Sequence, residues 1–141
     1  MTHRMMQRAL AAKIGPAGAT LGMWYFLRAL WTEDGLTQRE LSNRTGTMEP
    51  TTMAAIQVME EKGLVTRARN AKDRRKMNVF LTPKGRALEA ELLPLAADVV
   101  NAATKNYSPR EIALLLDLLR GVQNNLAEAV GPADGEGDVP F

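Results

Sequence analysis

The densest charge in this chain lies at residues 67–76, where Arg67, Arg69, Lys72, Arg74, Arg75 and Lys76 surround a single carboxylate, Asp73. Cationic groups at that spacing attract a polyanion, and a guanidinium grips phosphate or carboxylate through a planar fork. Upstream lie groups of another kind. Thr47, Glu49, Pro50, Thr51 and Thr52, with Gln57 beyond them, carry hydroxyls, a carboxylate, an amide and methyl surface. These are the groups that read base edges: hydroxyls serve either partner, Glu accepts from cytosine, and a Thr methyl or Pro meets a thymine methyl. Gln38, Arg39 and Arg44 suit phosphate contacts, which position a protein without specifying sequence.

Such groups work only if elements aim them. Thr37 is a fitting N-cap and Glu40 stands at capping-box spacing. Leu36 and Leu41 face inward, and Arg44-Thr45-Gly46-Thr47 ends the helix, with Gly46 free to take positive φ. A second helix starts near Glu49-Pro50, with Met53, Ile56, Val58 and Met59 expected on its apolar side. Gly63 stops it. Residues 64–69 read as a strand, 70–76 as an exposed turn and 78–81 as the return strand. Helix, tight turn, helix and hairpin in that order predict a winged helix-turn-helix, which sets one helix in a DNA groove and a basic hairpin beside it. Plainer roles compete: Thr47 and Glu49 can simply cap and start the helix, Thr52 can pack, and the charge run can be a solvated face.

The net charge of +2 hides an asymmetry. Residues 1–36 carry four basic and two acidic side chains, residues 37–86 eleven and five, and residues 87–141 three and nine. The positive segment coincides with the helix-turn-helix pattern, so double-stranded DNA is the expected partner. With no cysteine and one histidine, His3, disulfides, thiolate zinc sites, cysteine nucleophiles and multi-histidine metal sites have no ligands to build them. No phosphate-binding Gly loop or nucleophile elbow is present either. The expectation is therefore a non-enzyme with no catalytic residue, metal or cofactor. No apolar run approaches the roughly 20 residues of a membrane span, and the N-terminus does not read as a signal peptide. The expected location is the cytoplasm, without membrane association.

Outside the central unit the chain reads as helical. Residues 2–14 form a short amphipathic helix, broken at Gly15-Pro16-Ala17-Gly18. A second, apolar on most sides, runs from a Thr20 cap to Trp31 or Thr32. Thr82-Pro83 starts a long helix reaching about Asn106, with a kink or break expected near Pro94. Ser108-Pro109-Arg110-Glu111 starts another, whose apolar stripe includes Ile112, Leu115, Leu116, Leu119, Val122 and Leu126. The fold class is mainly α with a small β-hairpin wing. Residues 19–85 are the winged helix-turn-helix domain, residues 1–18 and 86–130 a helical dimerisation region, and residues 131–141, rich in Gly, Pro and acid, a disordered tail. A central unit this small cannot cover the terminal helices, so a homodimer built from the first and last helices is expected, with recognition helices about 34 Å apart on a pseudo-palindromic operator.

Together these pieces resemble a MarR-type transcriptional regulator from Met6 to about Leu126. The motifs are Trp24-Tyr25-Phe26-Leu27-Arg28-Ala29-Leu30, Leu36-Thr37-Gln38-Arg39-Glu40-Leu41, Gly63-Leu64-Val65, Asp73-Arg74-Arg75-Lys76, Leu81-Thr82-Pro83-Lys84-Gly85-Arg86 and the Leu-rich stretch after Ser108. The resemblance implies an obligate dimer that represses or activates genes, with Asp73 bracing the wing tip and Arg75 entering the minor groove. It also implies release of DNA when a small aromatic or phenolic molecule binds between the DNA-binding and dimerisation parts. Two departures matter: the first helix reads as shorter than in most relatives, and many relatives carry an Arg within the recognition helix, whereas no basic residue lies between Arg44 and Lys62 here. An Arg–guanine fork from inside this helix is thus excluded. For a ligand, a small aromatic acid or its thioester, the candidate lining is Met5, Arg8, Met23, Trp24 and Trp31, with Phe26 and His3 nearby. The competing reading of the aromatic residues is core, and the competing function is a constitutive regulator without effector.

Overall fold

The computed structural model describes residues 1–130; the tail expectation for residues 131–141 lies outside them. Six α-helices and one antiparallel hairpin follow in the order α1 (Thr2–Ile14), α2 (Leu21–Thr32), α3 (Gln38–Thr45), α4 (Glu49–Glu61), β1 (Val65–Arg69), β2 (Met77–Leu81), α5 (Pro83–Ala103) and α6 (Pro109–Val130). A 3₁₀ turn at Gly15–Ala17 joins α1 to α2. No described helix is long and apolar enough to cross a membrane.

Local chemistry sets the boundaries. Thr20 caps α2 by accepting from the Met23 N–H, and Thr82 caps α5 by accepting from the Gly85 N–H. Thr37 and Glu40 form a reciprocal capping box on α3, with the Thr37 N–H donating to Glu40 Oε2 at 2.7 Å and the Glu40 N–H to Thr37 Oγ1 at 3.2 Å. Gly46 closes α3 at φ 59°. Ser108 and Glu111 repeat the box at the start of α6, their bonds 2.7 and 3.3 Å long.

Two apolar clusters meet along α2. Met23, Phe26, Leu27 and Leu30 pack with Leu36, Leu41, Ile56, Met59, Leu64, Val65, Val79 and Leu81, the core of the helix-turn-helix and hairpin. Trp24 packs on the other side with Ile14, Ala19 and Leu92, tying α2 to α1 and α5. Trp31 borders both clusters, meets Trp24 edge to face at 5.9 Å, and donates its indole N–H to the Gly85 carbonyl at 3.0 Å. Gly85 is buried in the first turn of α5, where an added Cβ would stand 2.1 Å from the Leu64 carbonyl oxygen. The start of α5 is thereby seated on the turn after α4, and Thr82 and Lys84 hold it there through the Gly63 and Lys62 carbonyls.

Three expectations are corrected. Met53 and Val58 are exposed, and the buried side of α4 is Thr52, Ile56 and Met59. A Thr stands in the core because its hydroxyl is satisfied: Ser42 Oγ donates to Thr52 Oγ1 at 2.8 Å, and Thr52 donates to the Met48 carbonyl at 3.3 Å. Pro94 does not break α5, which is continuous from Pro83 to Ala103. Both Pro94 and Ala90, whose carbonyl loses its helical donor, are exposed, so water can replace the missing bond.

Candidate nucleic-acid interface

The wing is assembled from polar side chains. Residues 65–69 pair with 77–81 in strict antiparallel register, Val65 opposite Leu81 and Arg69 opposite Met77. Asn70 organises the turn between them: its Oδ1 accepts from the Lys72 and Asp73 N–H groups at 2.9 and 3.0 Å, and its amide donates to Asn78 Oδ1 at 2.9 Å. Asp73 then takes over, with Oδ1 accepting from the Arg75 N–H at 3.1 Å and from Arg75 Nε at 3.2 Å, and Oδ2 from Arg75 Nη2 at 3.4 Å. The Arg75 side chain, chiefly, and then its backbone N–H hold the Asp73 carboxyl below the usual carboxylate range. A tip with its backbone tied down presents Arg75 outward, 92% exposed.

The other cations divide into two groups. Lys72, Arg74 and Lys76 are exposed at the tip, and Arg69 reaches the Arg74 carbonyl at 3.2 Å. Arg67 instead pairs with Glu60 of α4 at 2.6 Å, bracing the base of the wing, and Arg44 pairs with Glu33. Arg39 is exposed and Gln38 half-buried on α3. The Glu40 carboxyl lies below its usual range, held chiefly by the Thr37 hydroxyl, then by the Thr37 N–H, with Lys76 and Arg44 adding attraction. Cations of the wing and of α3 thus act together on one carboxylate at the start of α3.

At the start of α4, Glu49, Pro50 and Thr51 are exposed and Thr47 half-buried. Thr52 is not part of this surface: it is fully buried against Ser42, so the expectation that it reaches DNA is corrected. The outward side of α4 is largely apolar, with Met48 79%, Met53 50% and Val58 41% exposed. Gln57 is exposed there as well, its amide within 3.3 Å of Glu61.

Sequence reasoning missed Asp34. Its Oδ1 accepts from the Gly35 and Leu81 N–H groups at 3.0 and 2.8 Å, and its Oδ2 pairs with Arg86 of α5. Val79 N–H donates to the Leu36 carbonyl at 2.8 Å and Asn78 to the Gly35 carbonyl at 2.6 Å, so a Thr37–Asn78 bridge adds a third edge to the hairpin. An Asp-Gly pair after a helix signals a turn, and that was its visible meaning; the partners are more than forty residues away.

The expected ligand lining is not one constellation. Met23 and Phe26 belong to the helix-turn-helix core, Trp24 to the second cluster, and Trp31 is committed to Gly85. Met5 and Arg8 line an open surface depression on α1 with Ala9. Among the described residues, no cluster of acidic, His or Cys side chains could hold a metal ion.

Comparison with known proteins agrees with this fold. A family model described as MarR family matches residues 18–76, from the start of α2 through the wing tip. The chain is 32% identical to a MarR transcriptional regulator of Methanosarcina mazei Go1, covering 90% of this chain and 91% of that one with a TM-score of 0.83. It is 29% identical over 131 residues to the HTH-type transcriptional regulator TtmR of Methylorubrum extorquens, and 27% identical over 84 residues to the transcriptional repressor YetL of Bacillus subtilis. The alignments take in 90% and 60% of this chain, but only 64% and 50% of those two proteins.

Proposed function

Because this chain belongs to the MarR family of winged helix-turn-helix transcriptional regulators, and not to a family of enzymes, we propose that it acts as a homodimeric, sequence-specific repressor on double-stranded DNA. The observation that carries the reading is the braced wing: an exposed Arg75 held by Asp73, among exposed Lys72, Arg74 and Lys76. On this reading the wing guanidinium enters a minor groove, Arg39 and Gln38 meet phosphates, and Thr47, Glu49, Pro50 and Thr51 meet base edges. Arg44, Arg67 and Arg69 contribute to the field while holding partners within the protein.

Pairing is supported by α6. Leu114, Leu115, Leu118, Leu119, Val122 and Leu126 are exposed, and of the described α6 side chains only Ile112 and Gln123 are half-buried. An apolar stripe of that breadth needs a cover, and a second copy using α1 and α6 supplies one with closed symmetry. The terminal segments 1–18 and 86–130 are then the dimerisation region and residues 19–85 the DNA-binding domain. Repression follows the name of YetL, and the cytoplasm is the compartment in which such a regulator works.

Among the described residues, the depression at Met5, Arg8 and Ala9 is a candidate seat for an effector, where Arg8 could hold the carboxylate of a small aromatic acid or the polar end of a thioester. The commitment of Met23, Trp24 and Trp31 to packing favours the second reading, a constitutive regulator. One experiment tests all of this: sequencing of DNA fragments selected by the purified protein, with and without aromatic acids. The expected outcome is a pseudo-palindrome with half-sites about one helical turn apart. Single half-sites count against the dimer, and indifference to every acid selects the constitutive reading.

A further inference from the structure

The reading of DNA by this chain leaves one question open: what the recognition helix recognises. Spacings of three and four residues place Pro50, Met53, Ala54 and Gln57 on the side of α4 opposite Ile56 and Met59. Met48 precedes them at the N-cap. All five are exposed, and no cation lies among them. Glu49 and Glu61 flank the surface with negative charge, while the cations stand on the wing and on α3. Attraction to the phosphates therefore comes from the flanks, and the surface that would face the groove floor is apolar apart from Gln57.

We propose that α4 specifies A·T base pairs through the thymine C5-methyl group. Thymine alone of the four bases offers an apolar group in the major groove, and a thioether is an adaptable surface against which to bury it. Gln57 adds a matching polar contact, since its amide can serve adenine N6 and N7 in the same kind of pair. Guanine offers acceptors only, for which this surface has no charged fork. The inference rests on the reading of the chain as a duplex-DNA binder and adds to it the identity of the bases read.

The test replaces thymine by uracil, which removes the methyl group and leaves the hydrogen-bonding edge intact. Operators selected by the purified 141-residue chain are synthesised with uracil at the positions under α4, and affinities are measured at one fixed salt concentration. The expected result is a loss of roughly three- to fivefold for each methyl group buried. Met53→Ala should reduce the thymine-over-uracil ratio, with an unchanged melting temperature as the control for folding. Arg75→Ala should weaken both duplexes equally and leave the ratio alone. Equal affinity for thymine and uracil operators, or G·C pairs at the selected positions, overturns the inference while leaving duplex binding in place. Failure to bind any duplex overturns it together with the reading beneath it.

Discussion

Arg75 shows how a flexible side chain becomes a probe. Its guanidinium is held at the wing tip by Asp73, so less rotamer freedom is left to lose on meeting DNA. Arg75→Ala should leave the melting temperature nearly unchanged, since the side chain is 92% exposed and its bond is a surface pair with Asp73, and should weaken operator binding roughly ten- to hundredfold. The measurement is a fluorescence titration at about 150 mM salt, with the dependence on salt recorded because phosphate contacts release counterions. Thr51 and Thr52 make a second contrast. They are adjacent, yet Thr52 is buried in a relay from Ser42 to the Met48 carbonyl while Thr51 faces solvent. Thr52→Val should cost about 1–3 kcal/mol in urea unfolding, and Thr51→Val within about 0.5 kcal/mol. Spacing alone could not separate them. The pattern of α4 offered Met53 and Val58 as core, and only the hydroxyl of Ser42, ten residues upstream, makes a Thr the better occupant.

Helices and strands were legible where their signals are local. The capping boxes at Thr37 and Ser108, the Thr20 and Thr82 caps, and the Gly46 turn are written within four residues of where they act. Both boxes carry a pH signature. The Glu40 and Glu111 carboxyls are held below the usual glutamate range by Thr37 and Ser108 respectively. A carboxyl that ionises more readily when folded stabilises the native state fully above its unfolded pKa of about 4.3. That contribution fades as pH falls through the lower folded values. Urea midpoints should therefore drop below about pH 4.3 in the parent, and less steeply in Glu40→Gln. Gly85 gives the sharper test, because two rules oppose each other. Gly→Ala inside a helix ordinarily stabilises by about 1 kcal/mol. Here the new Cβ would collide with the Leu64 carbonyl, so Gly85→Ala should destabilise by about 1–3 kcal/mol, read by thermal unfolding. Nothing in the sequence near Gly85 announces Leu64, and separation along the chain likewise hid the joints made by Asp34.

At the scale of the whole molecule, charge and apolar surface are segregated. Positive charge gathers on the wing and the start of α3, and uncovered leucine on α6. If pairing covers that leucine, Leu115→Lys or Leu119→Lys should halve the mass seen by sedimentation at micromolar protein and weaken operator binding with it, though neither residue lies near the wing. Parent protein sedimenting as a monomer would end the dimer proposal. Breadth of the α6 stripe was visible in the sequence; what seats α5 against the DNA-binding unit was not, since it depends on Trp31, Gly85 and Asp34 meeting across the chain.

That seat has an optical consequence. The chain's two tryptophans, Trp24 and Trp31, stand edge to face on one helix, between the core beneath the wing and the core beneath the terminal helices. Their ultraviolet emission comes from that seam. A rotation of one half against the other would change the indole environment before any helix melts, so the protein carries a built-in dye at the joint between its two cores.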